Sequence, residues 1–184
     1  MDFTEKSYKS FAMFNKQWAL VTAGNINDFN TCTVGWGEMG TLWNHRPVIT
    51  VFIHPSRYTS EFIKRYDDFT VSFYDEKYRK ALRYLGSHSG RNEDKVSSSG
   101  LKPVSCGNTV TFKEAQLTFQ CHKIYFHQMS KEGLSEEVKK YYAASPAVYP
   151  KVHEDGTDDT WEPHYAIVGE VLNVIEDNSL HQSL

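Results

Sequence analysis

The chain has 184 residues, enough for one domain that buries roughly 70% of its unfolded surface, and its net charge of −3 gives nucleic acid no general attraction. No apolar run approaches the ~20 residues of a membrane-spanning helix, and the opening Met-Asp-Phe-Thr-Glu-Lys lacks a signal-peptide pattern. The expectation is one cytoplasmic domain over residues 1–184 with no nucleic-acid or membrane partner.

Strand signals dominate the first third. Trp18 to Ala23 is a short apolar run ended by the turn pair Gly24-Asn25. After Asn27-Asp28-Phe29-Asn30, read as a turn, Thr31 to Trp36 reads as a returning strand. Pro47 blocks helix, and Val48 to Ile53 is a continuous β-branched run suited to a buried strand. Ser56 is a candidate N-cap for a helix over 57–66, with Phe62, Ile63 and Tyr66 on one face. Phe69 to Phe73 is strand-like, and Lys77 to Leu85 has helical period.

In the second half, Ala115 to Phe126 alternates in part, placing Leu117, Phe119 and Cys121 opposite Thr118, Gln120 and His122. Ser135 is positioned to cap a short helix that opens with Glu136 and Glu137. Ser145 to Pro163 reads as an acidic, proline-containing surface loop or lid, and Tyr165 to Ile175 as a central strand. At least six short strands with few helices indicate an antiparallel barrel with helices at its periphery.

The chemistry-bearing segment is Leu85 to Lys95, which follows a helical stretch directly. Its glycines let backbone N–H groups approach an anion, Ser87 and Ser89 add hydroxyls, and Arg91 and Lys95 add charge. A second cluster, Ser56-Arg57-Tyr58-Thr59, stands at the start of another predicted helix. Two such clusters on a small domain point to a phosphorylated ligand.

Other motifs read more plainly. Gly35-Trp36-Gly37-Glu38-Met39-Gly40 fits Gly-x-Gly-x-x-Gly, but no helical period follows, so close backbone approach to a ligand or neighbour replaces the dinucleotide reading. Cys32, Cys106 and Cys121 read as buried free thiols. Cys121, His122 and His127 are not expected to ligate a metal, since adjacent strand residues point to opposite faces. Asp155, Asp158 and Asp159 lack the rest of a calcium loop, and no metal site is expected.

In order, Asn30-Thr31-Cys32-Thr33-Val34-Gly35-Trp36-Gly37, Leu42-Trp43, Arg57-Tyr58-Thr59, Ser89-Gly90-Arg91 with Asp94-Lys95, and His164 with Gly169-Glu170-Val171 resemble the flavin reductase-like split-barrel family, its flavoredoxin branch in particular. The resemblance covers about residues 15–175. It implies a mainly β fold, a six-stranded antiparallel split β-barrel with Greek-key connections and peripheral helices, that dimerises and binds FMN near the subunit interface.

By the same resemblance, Thr33, Val34, Gly35 and Trp36 lie along the isoalloxazine ring, with Asn30 and Trp43 as further flavin contacts. A Cβ on Gly35 would hold the ring off. Arg57, Tyr58, Thr59, Ser87, Ser89, Gly90, Arg91 and Lys95 would hold the phosphate. His164 is the candidate catalytic residue, set against the plainer reading of a structural histidine at a strand entrance. The implied activity is an FMN-dependent oxidoreductase reduced by NADH or NADPH, with a redox protein as a possible acceptor. The alternative is an FMN electron carrier without a nicotinamide site of its own.

Overall fold

The computed structural model describes residues 2–149 and 161–176. It is mainly β. A short turn, α1 (Ser10–Ala12), runs into a π-helical turn (Met13–Gln17) and then β1 (Ala19–Asn25). Hairpin partner β2 (Asp28–Val34), β3 (Gly37–Leu42) and β4 (Arg46–Ile53) follow. Next come α2 (Thr59–Arg65), β5 (Asp68–Phe73), α3 (Arg79–Ser87) and α4 (Lys95–Ser99). The hairpin of β6 (Pro103–Cys106) and β7 (Thr109–Phe112) leads to β8 (Leu117–Gln128), α5 (Glu136–Ala143) and β9 (Tyr165–Glu176).

The main sheet has the order β2-β1-β5-β8-β9-β4-β3, and its pairings are antiparallel. Laid flat, seven strands would hold their edges about 29 Å apart. Only Gly35 and Trp36 separate edge strand β2 from edge strand β3, a link that spans at most about 10 Å. The sheet therefore curls until its edges meet, and residues 35–36 cross the seam. There the Phe52 N–H donates to the Trp36 carbonyl at 3.2 Å.

Seven strands instead of the expected six follow from this crossing: the strand read through Trp36 stops at Val34, and β3 continues it on the opposite edge. Gly37–Leu42 is a strand and no helix, so the glycine pattern opens no dinucleotide fold. Its Gly37 is required for packing, since a Cβ there would fall 2.4 Å from the Phe14 ring.

Strand alternation sends side chains into two cores. Ala19, Val21 and Ala23 of β1 face the barrel interior with Val51, Ile53, Phe69, Val71, Phe119 and Ile167. Leu20 faces outward into a second cluster with Tyr74, Leu82, Leu85, Leu101 and Phe112, under α3 and the β6–β7 hairpin. Full burial of each such side chain contributes roughly 1.5–3 kcal/mol. The hairpin also covers hydroxyls on the outer face of β5 and β8. Ser72 Oγ, Thr111 Oγ1 and Thr118 Oγ1 form a buried triangle with 3.0 Å sides.

The three cysteines are buried and free, as expected, and burial raises the thiol pKa of each. His122 pairs with Asp68 at 2.8 Å, and among the described residues no group of three His, Cys, Asp or Glu side chains is arranged to hold a metal. No helix among the described residues is long and apolar enough to cross a membrane. The Asp155, Asp158 and Asp159 reading and most of the 145–163 loop lie outside the described residues.

Candidate functional site

The seam of the barrel gathers most of the sequence-predicted site. β2 ends at Val34 and β4 at Ile53, beside the chain crossing at Gly35-Trp36. A cavity of about 140 Å³ opens there, lined by Thr33, Val34, Gly35, Trp36, Arg57 and His164, together with Cys32, Phe52, Ile53, His54, Val148 and Tyr149. Residues distant in sequence meet here because antiparallel pairing places the start of β9 beside the end of β4 (Ile53 opposite Tyr165).

One end of the site is cationic. Asp94 caps α4 by accepting from the Ser97 N–H at 3.1 Å, which fixes Lys95 in the first turn. Lys95 is 3% exposed, and its Nζ donates to the carbonyls of Leu85 (2.9 Å) and His88 (3.0 Å) at the C-terminal end of α3. Those bonds use two of the three ammonium donors. Burial, and then Arg57 nearby, push the Lys95 pKa below the usual lysine range. Arg57 is half-buried, with a 3.5 Å contact to the Gly86 carbonyl. Neither cation has a carboxylate within 4.0 Å among the described residues. Two like charges held near each other without a counter-ion create a favourable place for an anion.

The surrounding loop is shaped by contacts. A Cβ on Gly90 would fall 2.5 Å from Asn30 Oδ1, so only glycine lets this loop lie against β2. Asn30 Nδ2 in turn donates to Thr59 Oγ1 at 2.8 Å, both side chains buried. Ser89 Oγ accepts from the Arg91 N–H at 3.3 Å, and Ser87 Oγ donates to the Arg83 carbonyl at 3.0 Å. Arg91 itself is engaged: it pairs with Glu61, donates to the Ser56 carbonyl at 3.0 Å and lies 4.8 Å from the centre of the Tyr58 ring. It joins loop to helix, whereas Arg57 and Lys95 carry uncompensated charge.

The other end is aromatic and neutral. Trp36, 40% exposed, lies 4.4 Å from the His164 ring and 6.1 Å from those of Tyr141 and Tyr149. Ser135 caps α5 at Val138, and the helix brings Tyr141 and Tyr142 to this cluster. The Tyr142 hydroxyl accepts from the His164 N–H at 3.4 Å and sits 2.6 Å from His164 Nδ1. The hydroxyl oxygen has a lone pair for each, so the Tyr142–His164 pair is satisfied with the shared proton on either atom.

His54 is held in one tautomer. Its Nδ1 accepts from the Ser56 N–H at 3.2 Å, so Nε2 carries the proton and donates to the Glu162 carbonyl at 3.1 Å. Burial lowers the pKa of His54 to about 4 and that of His164 to about 3, so both rings are neutral near pH 7.

A Cβ on Gly35 would meet Trp18 Cδ1 at 3.5 Å and the Phe14 carbonyl at 3.6 Å, ordinary contacts, so packing within the protein does not require this glycine. Trp43 stands apart: it sits in the β3–β4 turn, 56% exposed and 6.4 Å from the Tyr125 ring, with the length of β3 between it and the seam. His54, Tyr142 and Tyr149 were not legible as site residues. His54 follows a strand and precedes Pro55, and the only cue was its nearness to the Arg57 cluster.

The comparisons with known proteins agree with this architecture. An FMN-binding protein from Thermus thermophilus is 20% identical over 89% of this chain and 71% of its own, with a TM-score of 0.63. Flavoredoxin of Desulfovibrio vulgaris is 23% identical over 88% of this chain and 70% of its own, at 0.61. A Streptomyces globisporus NADH:FAD oxidoreductase is 13% identical over 89% and 76%, also at 0.61. A comparison with curated proteins gives no match. At these identities the solved structures establish the shared fold. The family rests on the sequence itself: residues 11–184 match the flavin reductase like domain, and the chain belongs to that family.

Proposed function

We propose that the chain is a single domain that binds FMN at the barrel seam and acts as an NAD(P)H-dependent oxidoreductase of the flavin reductase type, working as a homodimer. The observation that carries the reading is the pair Arg57 and Lys95, cations without a carboxylate partner beside a glycine-built loop. They are suited to a phosphate, with remaining donors from the loop around Ser89 and Gly90. Tyr58 and Thr59 place Arg57 through the start of α2, and Asn30 holds Thr59.

FMN, when bound, supplies the ring that accepts hydride and hands on electrons. The residues at the seam supply position and environment. Gly35, between the two strand ends, supplies the backbone groups suited to the edge of a planar ligand, since Val34 pairs with Ala19 and the Trp36 carbonyl accepts from the Phe52 N–H. His164, neutral near pH 7, can offer its free Nε2 side to a ligand without adding charge, whereas the His54 Nε2–H is committed to the Glu162 carbonyl. His164 is a candidate contact to the reacting ring because it lines the same cavity as Trp36. Trp36 and the tyrosines of α5 limit water at that end.

One observation favours the second reading, an FMN electron carrier reduced by a partner protein. The cavity of about 140 Å³ is smaller than the ~300 Å³ at which small-molecule sites begin, and Val148 and Tyr149 stand over it. A nicotinamide stacked on the flavin needs that space too. The test is an absorption spectrum after incubation with FMN and desalting, followed by anaerobic NADH or NADPH. Retained flavin that bleaches rapidly supports the oxidoreductase. Retained flavin that stays oxidised supports the carrier, and failure to bind FMN even in excess overturns both.

A further inference from the structure

A second cleft lies on the outer side of α3, away from the barrel seam. It encloses about 620 Å³, well within the ~300–1,000 Å³ range of small-molecule sites. Lys77, Lys80 and Arg83 line it from the α3 side, and Ser98 and Ser99 of α4 form the facing wall. All three cations are exposed, and none has a carboxylate within 4.0 Å among the described residues. The lining contains no acidic residue. Two acids flank the lining: Glu93 accepts from the Tyr84 hydroxyl at 2.6 Å, and the Asp94 carboxylate accepts from Ser97 at the start of α4.

The hydroxyls have a definite polarity. Ser87 Oγ donates to the Arg83 carbonyl at 3.0 Å, Ser98 Oγ to Asp94 at 3.1 Å and Ser99 Oγ to Val96 at 2.7 Å. Their hydrogens are committed to helix carbonyls, so what they offer a ligand is oxygen lone pairs. The cleft thus combines cations for an anion, acceptors for amino or hydroxyl donors, and the rings of Tyr78 and Tyr84 for a planar group. A purine nucleotide has all three complementary features.

Position narrows the ligand further. Ser87, the last residue of α3, belongs both to this cleft and to the loop that runs on to Ser89, Gly90 and Lys95. The cleft and that loop therefore adjoin along the chain, and the α3 wall of the cleft is about 13 Å long, the reach of a nucleoside monophosphate.

We propose that this cleft holds the adenosine phosphate half of a dinucleotide whose other half reaches the seam. The inference rests on the flavin reading above. The shared chemistry is adenylate, and the dinucleotide is either FAD or the nicotinamide donor.

The test uses Lys80→Glu/Arg83→Glu, two exposed positions on α3, against the wild type. AMP alone is titrated first and followed by amide shifts of α3 and α4, a readout that needs no flavin. AMP is expected to move those amides and to bind the variant about tenfold more weakly, as for loss of charge-assisted contacts. FMN affinity is expected to stay within about twofold, since these cations lie outside its phosphate site. A loss of FAD affinity alone assigns the flavin, and a rise in the KM for NADH or NADPH alone assigns the donor. AMP that shifts no amide of α3 or α4, or that binds the variant as it binds the wild type, overturns the proposal. Failure of the wild type to bind FMN would instead sink the flavin reading and leave the AMP result readable.

Discussion

The two ends of the seam site are built on opposite physical terms. At one end, Arg57 and Lys95 are held close without a counter-ion, Lys95 almost fully buried and bonded only to carbonyls. At the other, two histidines sit neutral among Trp36, Tyr141, Tyr142 and Tyr149, His54 held by the Ser56 N–H and the Glu162 carbonyl and His164 by the Tyr142 hydroxyl. The first end stores unfavourable charge that an anion relieves. The second avoids charge and offers rings and neutral donors. The contrast implies that affinity comes mainly from the cationic end, and that the aromatic end sets which planar groups are admitted.

The largest expected effect breaks that contrast at its charged end. Arg57→Ala and Lys95→Ala each remove a charge-assisted contact of roughly 1.5–3 kcal/mol, so FMN affinity should fall about ten- to a hundredfold. Riboflavin, which has no phosphate, should respond little. Fluorescence titration of both ligands checks this, and equal losses for the two would move the phosphate elsewhere.

A second effect, on stability, sharpens the neutral end. The folded His54 and His164 titrate at about 4 and about 3, against 6.5 for an unperturbed histidine. Between pH 6.5 and those values the unfolded chain takes up protons that the folded chain refuses. Stability should therefore fall with pH through that window, by at most about 1.4 kcal/mol per pH unit for each histidine, and show no histidine slope above it. Urea melts across the window check the sign. His54→Gln and His164→Gln should each flatten the slope, and an unchanged slope in both would mean that the rings are solvated.

The smallest effect separates two arginines that the sequence placed together. Arg91 is already paired with Glu61 on an exposed surface, an arrangement worth about 0.2–1 kcal/mol. Arg91→Ala should weaken FMN by no more than about threefold, well short of Arg57→Ala. Equal effects would show that Arg91 abandons Glu61 for the ligand.

These differences also explain what could be read from the chain. The Leu85–Lys95 segment was legible because small residues, hydroxyls and cations are adjacent in sequence, and helix α3 before it has clear apolar period. β1, β4, β5, β8 and β9 were legible from apolar runs. β3 was not, since Gly37–Leu42 is glycine-rich and largely exposed, and it is a strand only because Met39 and its neighbours pair with β4. The β6–β7 hairpin was missed because each strand has only four residues: Val110 and Phe112 alone form its apolar face, and buried Thr111 turns to the hydroxyl of Ser72 on β5. The aromatic end was illegible because His54 and Glu162, 108 residues apart, meet only after the barrel closes. Trp43 shows the converse, a residue adjacent in motif order but carried away by the length of β3.

The most direct measurement is the ratio of riboflavin to FMN dissociation constants for the wild-type protein at low salt. With Arg57 and Lys95 awaiting a phosphate, FMN should bind at least about tenfold more tightly, and added salt should narrow the gap. Equal dissociation constants that salt does not change would contradict the assignment of these two cations.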